Sequence, residues 1–238
     1  MVFSSNNFTF NNIYSQDMNI HLVSEDSGIL NDYGIPFSTE SEDEEITLSF
    51  CYADGDSPLE WDYDTTFNFL EWIITDDYCE FISDDNEDII YFLKGVSYAK
   101  RFTNNMEGII DVTFKLLSPY GYKHYKREIL PTENTFDIYN YSNVDNAYKP
   151  VITLSEISSD EITIFNTTNG KEAFSIKNLT SSDIIYVDNL MCTIVDSKGK
   201  NRLTDSNRCW IELCKGSNLL SIDGDCNLKI ECYYPIMA

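Results

Sequence analysis

The stretch IIYFLKGVSYAKRFTNNMEGIIDVTFKLLSPYGY, Ile89 to Tyr122, decides the fold. From Ile109 to Leu117 its pattern has a period of two: Ile110, Val112, Phe114 and Leu116 share one face, and Asp111, Thr113 and Lys115 share the other. Successive side chains of a strand point to opposite faces, so this is a half-buried strand. Ile89 to Phe102 is rich in β-branched and aromatic residues, and Asn104-Asn105-Met106-Glu107-Gly108 separates the two runs. Asparagine and glycine tolerate positive φ, so the pair reads as a long antiparallel hairpin. It stops at Ser118-Pro119-Tyr120-Gly121, where proline removes a ladder donor and glycine permits a sharp change of direction.

Upstream, Ile46, Leu48, Phe50 and Tyr52 alternate with Thr47, Ser49 and Cys51, a second half-buried strand ended by Asp54-Gly55-Asp56-Ser57-Pro58. The period then changes. Between Tyr63 and Ile74, Phe67, Leu70 and Ile74 share one face with Ile73 beside them, and Asp62 or Asp64 is placed to cap the first turn, so this segment is a helix. Trp72 and its aromatic neighbours fit its core side better than a ligand platform. Phe8 to Leu22, with apolar residues spaced among asparagines, suits an N-terminal arm and a short strand. Ser24 to Glu45 holds Gly28, Gly34, Pro36 and the run Glu42-Asp43-Glu44-Glu45, which predicts a loop or an extended excursion with no core of its own.

Downstream, Tyr125 to Thr135 is polar and contains Pro131, which places a domain boundary near residue 130. Short strands then recur at 136–141, 150–154, 161–165, 172–176, 184–188, 191–196, 208–213, 218–222 and 226–234, with turn signals between them. That rhythm predicts an all-β sandwich or barrel. Asp223-Gly224, both tolerant of positive φ, predicts a hairpin near its end.

The 238 residues are 42% hydrophobic and 14% aromatic, enough for an ordered core in one large or two ordinary domains. The N-terminus has neither a basic nor an apolar signal region, and no apolar run approaches the roughly 18 to 20 residues of a membrane span, so the expectation is a soluble protein made in the cytoplasm without membrane insertion. Seven cysteines, at 51, 79, 192, 209, 214, 226 and 232, form no C-x-x-C pair and read as reduced core residues. The net charge of −24 is uneven: residues 1–93 hold 22 acids and no Lys or Arg, residues 94–130 hold three acids and seven bases, and the rest hold 15 acids and nine bases. Ordinary solvated surface accounts for such a balance. A basic stripe after a wholly acidic segment also suits head-to-tail packing of identical subunits. Direct nucleic-acid binding is disfavoured, because phosphate contacts need clustered cations.

No catalytic, cofactor-binding or metal-ligating set stands out in the sequence. His21 and His124 lie in no H-E-x-x-H and beside no nucleophile motif, and none of the ten glycines builds a phosphate-cradling loop. Asp84, Asn86 and Asp88 match the start of an EF-hand loop, but its sixth position is Ile89 and its twelfth Gly95, so the motif fails. Asp223, Asp225 and Asn227 fit a turn better than a calcium site. Cys209, Cys214, Cys226 and Cys232 fall within predicted strands, whereas structural zinc favours tight ligand pairs on turns. With 40 carboxylates, paired acids are inevitable and carry no signal for a glycosidase. Trp210, the one tryptophan of the C-terminal part, is expected inside a strand.

The hairpin with its Ser-Pro-Tyr-Gly-Tyr exit resembles the end of the N-terminal domain of phage distal tail proteins, the hub subunits at the tip of long-tailed phages. WDYDTTFNFLEWII and DDYCEFISDDNEDIIYFL resemble that family's helix and following strands, and IYNYSNVDNAYKPVITLS and WIELCKGSNLLSIDG resemble strands of its C-terminal sandwich. The resemblance runs from about Trp61 to the end and is weakest over residues 1–60. It implies a mainly β protein: a ring-forming hub domain with one helix over residues 1–130, its 24–45 excursion reaching onto a neighbour as a belt, then a galectin-like β-sandwich over 131–238. It implies a structural virion protein at the tail tip, not an enzyme and without cofactors, assembled in the host cytoplasm. The implied partners are further copies in a hexameric ring, the tail tube protein, and tail-tip or receptor-binding proteins, with genome DNA passing through unbound. Acids of residues 1–93 lining the channel would repel it. A rival reading is a monomeric carbohydrate-binding or adhesion sandwich, and within the structural class a hub of a phage-like contractile device fits equally.

Overall fold

In the computed structural model, residues 5–23, 45–55, 57–103, 105–144 and 147–237 are described. The belt expected over 24–45 lies, apart from Glu45, outside them. The chain divides into two compact units, the first of residues up to Tyr122 together with Met237 and the second from Lys123 to Ile236.

The first unit is built on one antiparallel sheet with strands β1 (Ser5–Asn6), β2 (Phe8–Phe10), β3 (Ile13–Tyr14), β4 (Ile20–Val23), β5 (Glu45–Asp54), β6 (Ser57–Pro58), β7 (Cys79–Ser83), β8 (Tyr91–Phe102) and β9 (Gly108–Leu116). Its order is β1-β4-β5-β9-β8-β7-β2-β3, with β6 paired to β5. The two-periodic stretch forms β9, whose Ile110, Val112 and Phe114 are fully buried. β8 and β9 pair as the hairpin, with a bulge between Gly95 and Ser97. In its turn the positive φ falls on Met106, at 58°, and Gly108 closes the loop at 153°. Asn104 lies outside the described residues.

Helix α1 (Tyr63–Ile73) follows a cap in which the Asp62 carboxylate accepts from Thr65 N–H at 2.7 Å. That bond also holds the Asp62 carboxyl below its usual range. Its inward face differs from the one the spacing predicts. Thr66, Phe69, Trp72 and Ile73 are buried, whereas Phe67 is 53% exposed and Leu70 and Ile74 are half-buried. Apolar residues nearly encircle this helix, so period alone could not choose, and packing did. Phe69 meets Phe50 and Trp61 at 5.4 and 5.3 Å, and Trp72 stacks on Phe8 at 5.6 Å while its indole N–H donates to the Phe10 carbonyl at 3.0 Å. These are tilted and stacked contacts of the kind that add to area burial.

The second unit has strands β10 (Gly121–Ile129), β11 (Thr135–Asn140), β12 (Ala147–Tyr148), β13 (Val151–Ser155), β14 (Ile162–Asn166), β15 (Phe174–Ile176), β16 (Ile185–Asp188), β17 (Thr193–Asp196), β18 (Leu213–Cys214), β19 (Gly216–Asp223) and β20 (Asn227–Ile236). They form a five-stranded sheet, β10-β20-β13-β16-β17, a four-stranded sheet, β11-β19-β14-β15, and the pair β12-β18. Alternate residues of both larger sheets, among them Ile152, Leu154, Ile164, Phe174, Val187, Leu220 and Ile230, join one core, which is the packing of a β-sandwich.

Four expectations change here. The polar stretch from Tyr125 belongs partly to β10, so the division falls at 122/123 and not near 130. The charged heads of Lys123 and Arg127 lie over the Tyr141 and Phe136 rings at 5.1 and 5.8 Å, so residues that read as a polar linker in sequence are strand residues packed on aromatic faces. Asp223-Gly224 does not close a hairpin, because β19 and β20 lie in different sheets. Gly224, at φ 100°, turns the chain from one sheet to the other, and a Cβ there would stand 2.6 Å from the Glu161 carbonyl. The segment 208–212 is irregular and a strand begins only at Leu213, so Trp210 sits half-buried against the core outside any strand. Finally, of the seven cysteines only Cys226 and Cys232 are buried, and Cys192 is exposed at φ 55°.

Candidate functional site

The residues singled out for chemistry are placed apart from one another and hold structure. His21 bridges the Asn7 side chain at 2.9 Å and the Ala53 carbonyl at 3.2 Å, and His124 meets Glu231 at 3.0 Å while stacking on Tyr233 at 4.4 Å. Asp84 accepts from the Tyr14 hydroxyl at 2.7 Å in a short 3-10 turn. Among the described residues no three of His, Cys, Asp and Glu converge as metal ligands. Burial pushes the Cys226 thiol up to about 11 and the Cys232 thiol up to about 12, so both are poor nucleophiles in the folded protein.

The strongest internal electrostatics belong to Arg202, 6% exposed, whose guanidinium meets Asp205 at 2.6 Å, Asp183 at 3.5 Å and the Asn178 carbonyl at 2.8 Å. Hydrogen bonds from Arg202 and Asn178 hold the Asp205 carboxyl below its usual range. For Asp183 burial acts the other way, but bonds from Thr180 and the charge of Arg202 outweigh it and the carboxyl is also lowered. This cluster ties two loops together.

The basic stripe of residues 94–130 is largely neutralised at home. Arg101 pairs with Asp111 at 2.5 Å, Lys115 with Glu45 at 3.9 Å, Lys126 with Glu128 at 3.8 Å and Arg127 with Glu133 at 3.1 Å. Asp111 also accepts from Ser49 at 2.6 Å. Burial acts to raise its carboxyl, but the bonds from Arg101 and Ser49 outweigh it and the carboxyl is lowered. Lys94 donates to the Asp76 carbonyl, and Lys100 lies over Tyr98 and Phe102 at 5.7 and 5.9 Å. Neither meets a carboxylate among the described residues. Charge counted along the chain therefore overstates the free positive surface of this segment, which on the first unit reduces to two lysines of β8.

What the sequence left unnoticed is a surface around those lysines. β7 pairs with β8 only from Tyr91 to Leu93, while β8 runs on to Phe102. From Ser97 onward β8 pairs, among the described residues, with β9 alone. Val96 and Tyr98 are 36% and 49% exposed there. On α1, Tyr63 is 79% exposed and stacks with Phe67 at 6.4 Å. The mismatch of a five-residue β7 with a twelve-residue β8 is the signal that exposes the edge, but it needs strand pairing to be known.

Comparison with known proteins follows the same division. Residues 120–232 match the family model described as the phage tail C-terminal domain. Over its whole length the chain is 24% identical to the SPbeta prophage-derived uncharacterized protein YomH of Bacillus subtilis (strain 168), across 98% of this chain and 99% of that one. Its fold is shared with the Dit (gp 19.1) protein of phage SPP1, described as a paradigm of the hub adsorption apparatus in phages infecting Gram-positive bacteria, at a TM-score of 0.60, 10% identity, 98% of this chain and 100% of that one. A chain of the phage p2 baseplate in its activated conformation with strontium is similar at a TM-score of 0.51 and 10% identity, covering 98% of each chain.

Proposed function

We infer that this chain is a phage distal tail protein, a structural hub subunit of the tail tip, and the observation that carries this is correspondence of fold along the full length of both chains with the SPP1 Dit protein. The phage tail C-terminal domain over 120–232 supports the same reading independently. An isolated sugar-binding sandwich would account for the second unit and leave the first unexplained. The role is mechanical: copies of the first unit close a ring through heterologous contacts, six copies by resemblance. The galectin-like second unit offers docking surface. The partners are the tail tube protein on one side and tail-tip or receptor-binding proteins on the other, in a virion assembled in the host cytoplasm, with no cofactor and no catalytic step. Acids of the first 93 residues in the lumen would repel passing DNA. Neutralising them should slow genome ejection in a salt-dependent way.

The test is negative-stain imaging with light-scattering mass across a concentration series, alone and with the tail tube protein. Six-fold rings with a central hole are expected. A monomer under every condition refutes the ring.

A further inference from the structure

We propose that the outer half of β8, flanked by the exposed aromatic stripe of α1, is where one copy of the first unit receives the acidic surface of the next. The inference rests on the ring reading and locates its contact.

Three observations converge on this surface. The backbone is open: Ser97 to Phe102 is bonded as a strand on one side only among the described residues, and an unpaired strand edge is a template for association. Large apolar side chains stand uncovered around it: Val96 and Tyr98 on β8, and Tyr63 and Phe67 on α1. Tyr98 lies on the same side of the sheet as α1, since it pairs across to the fully buried Val112. α1 is tied alongside β8 at both ends: Trp61, just before the helix, stacks on Phe102 at 6.3 Å, and Ile74, just after it, bridges to Gly95. Tyr63 and Phe67, one turn apart, place two exposed rings side by side on the helix so tied.

The third observation is charge, and it identifies the occupant. Residues 1–93 carry 22 acids and no base. Lys94 and Lys100 are the two cations of the first unit that meet no carboxylate among the described residues, and both lie on β8. A second copy approaching through its acidic surface is repelled over most of the first unit and attracted at β8. Complementarity of that kind fixes which patch meets which and speeds the encounter. It also makes the contact heterologous, one patch against a different one, as ring closure requires.

An edge lysine has a competing role, to keep strands from adding, and the two roles predict opposite signs. The experiment is sedimentation velocity of the full chain over a concentration series, for wild type, Lys100→Ser, Lys100→Glu and Phe67→Ser. All three changes are at the surface, and circular dichroism checks folding. The expected result is that Lys100→Glu raises the concentration for half-assembly by roughly tenfold, with Lys100→Ser and Phe67→Ser smaller but in the same direction, and that added salt weakens wild-type assembly. Assembly unchanged by Lys100→Glu, or strengthened by Lys100→Ser, overturns this location while leaving the ring reading intact. A wild type that never associates, alone or with the tail tube protein, overturns both.

Discussion

Replacing Gly95 by alanine tests how closely α1 is seated on β8. A Cβ at this position would stand 2.2 Å from the Ile73 carbonyl oxygen, 3.1 Å from its carbon and 3.3 Å from the Ile74 Cα. An unstrained C···O contact is about 3.3 Å or more, so the two elements must part by roughly 1 Å. Both sides resist. Ile73 is fully buried and Ile74 N–H is bonded to the Leu70 carbonyl at 3.0 Å, so the helix end moves only by disturbing the core. β8 is held by β9 on one side and β7 just before Gly95. Overpacking of a seated contact costs about 1–3 kcal/mol, and because the clash is backbone against backbone the upper end applies, about 3 kcal/mol. Urea unfolding followed by tryptophan fluorescence suits the assay, since Trp61 and Trp72 both sit in the first unit's core. With a slope of about 1–3 kcal/mol per molar urea, the midpoint should fall by roughly 1 M or more. A Gly95→Ala midpoint indistinguishable from wild type would refute the close approach and with it the position assigned to α1.

Arg202→Met leaves two carboxylates and the Asn178 carbonyl without their cation and should cost about 3 kcal/mol in thermal or urea unfolding. The same cluster sets a pH dependence. The folded carboxyls of Asp183 and Asp205 lie below their unfolded values of about 3.9, so their stabilisation is complete above that pH and is lost as pH falls through the folded pKa values. The melting temperature of wild type should therefore drop more steeply below about pH 4 than that of Arg202→Met. Tyr234→Phe should leave stability unchanged or raise it by about 1 kcal/mol, because the Tyr234 hydroxyl is buried with no nitrogen or oxygen partner among the described residues and burial pushes its pKa far up. A loss above about 1 kcal/mol would point to a hydrogen bond there. With a chromogenic disulfide reagent, the Cys192 thiol should react at once, and Cys226 and Cys232 only on unfolding.

The elements legible in sequence are those in which one periodicity and one face go together. β9 and β5 alternate cleanly because one side of each meets the core, and the Asp62 cap marks the start of α1. Legibility fails where a side chain serves two surroundings at once. In β10 the charged heads of Lys123 and Arg127 sit on aromatic rings, so a strand at the sheet edge looks like a polar linker. In α1 both Phe67 and Phe69 are phenylalanine, and only the position of Phe50 and Trp61 decides which is inside.

The candidate surface shows the same limit from the side of charge. Seven bases in residues 94–130 look like a stripe, but Asp111, Glu45, Glu128 and Glu133 each neutralise one of them across a strand pair, along one strand or across a turn. Two of these partners, Glu45 and Glu133, lie outside the stripe, and their approach depends on the pairing of β5 with β9 and on the turn after β10. Exposed pairs of this kind are worth little to stability, yet they decide where the field of the molecule remains uncompensated. In the proposed ring of acidic subunits, the few cations left unmatched would have more consequence for assembly than the many acids, because at like-charged surfaces only those positions attract.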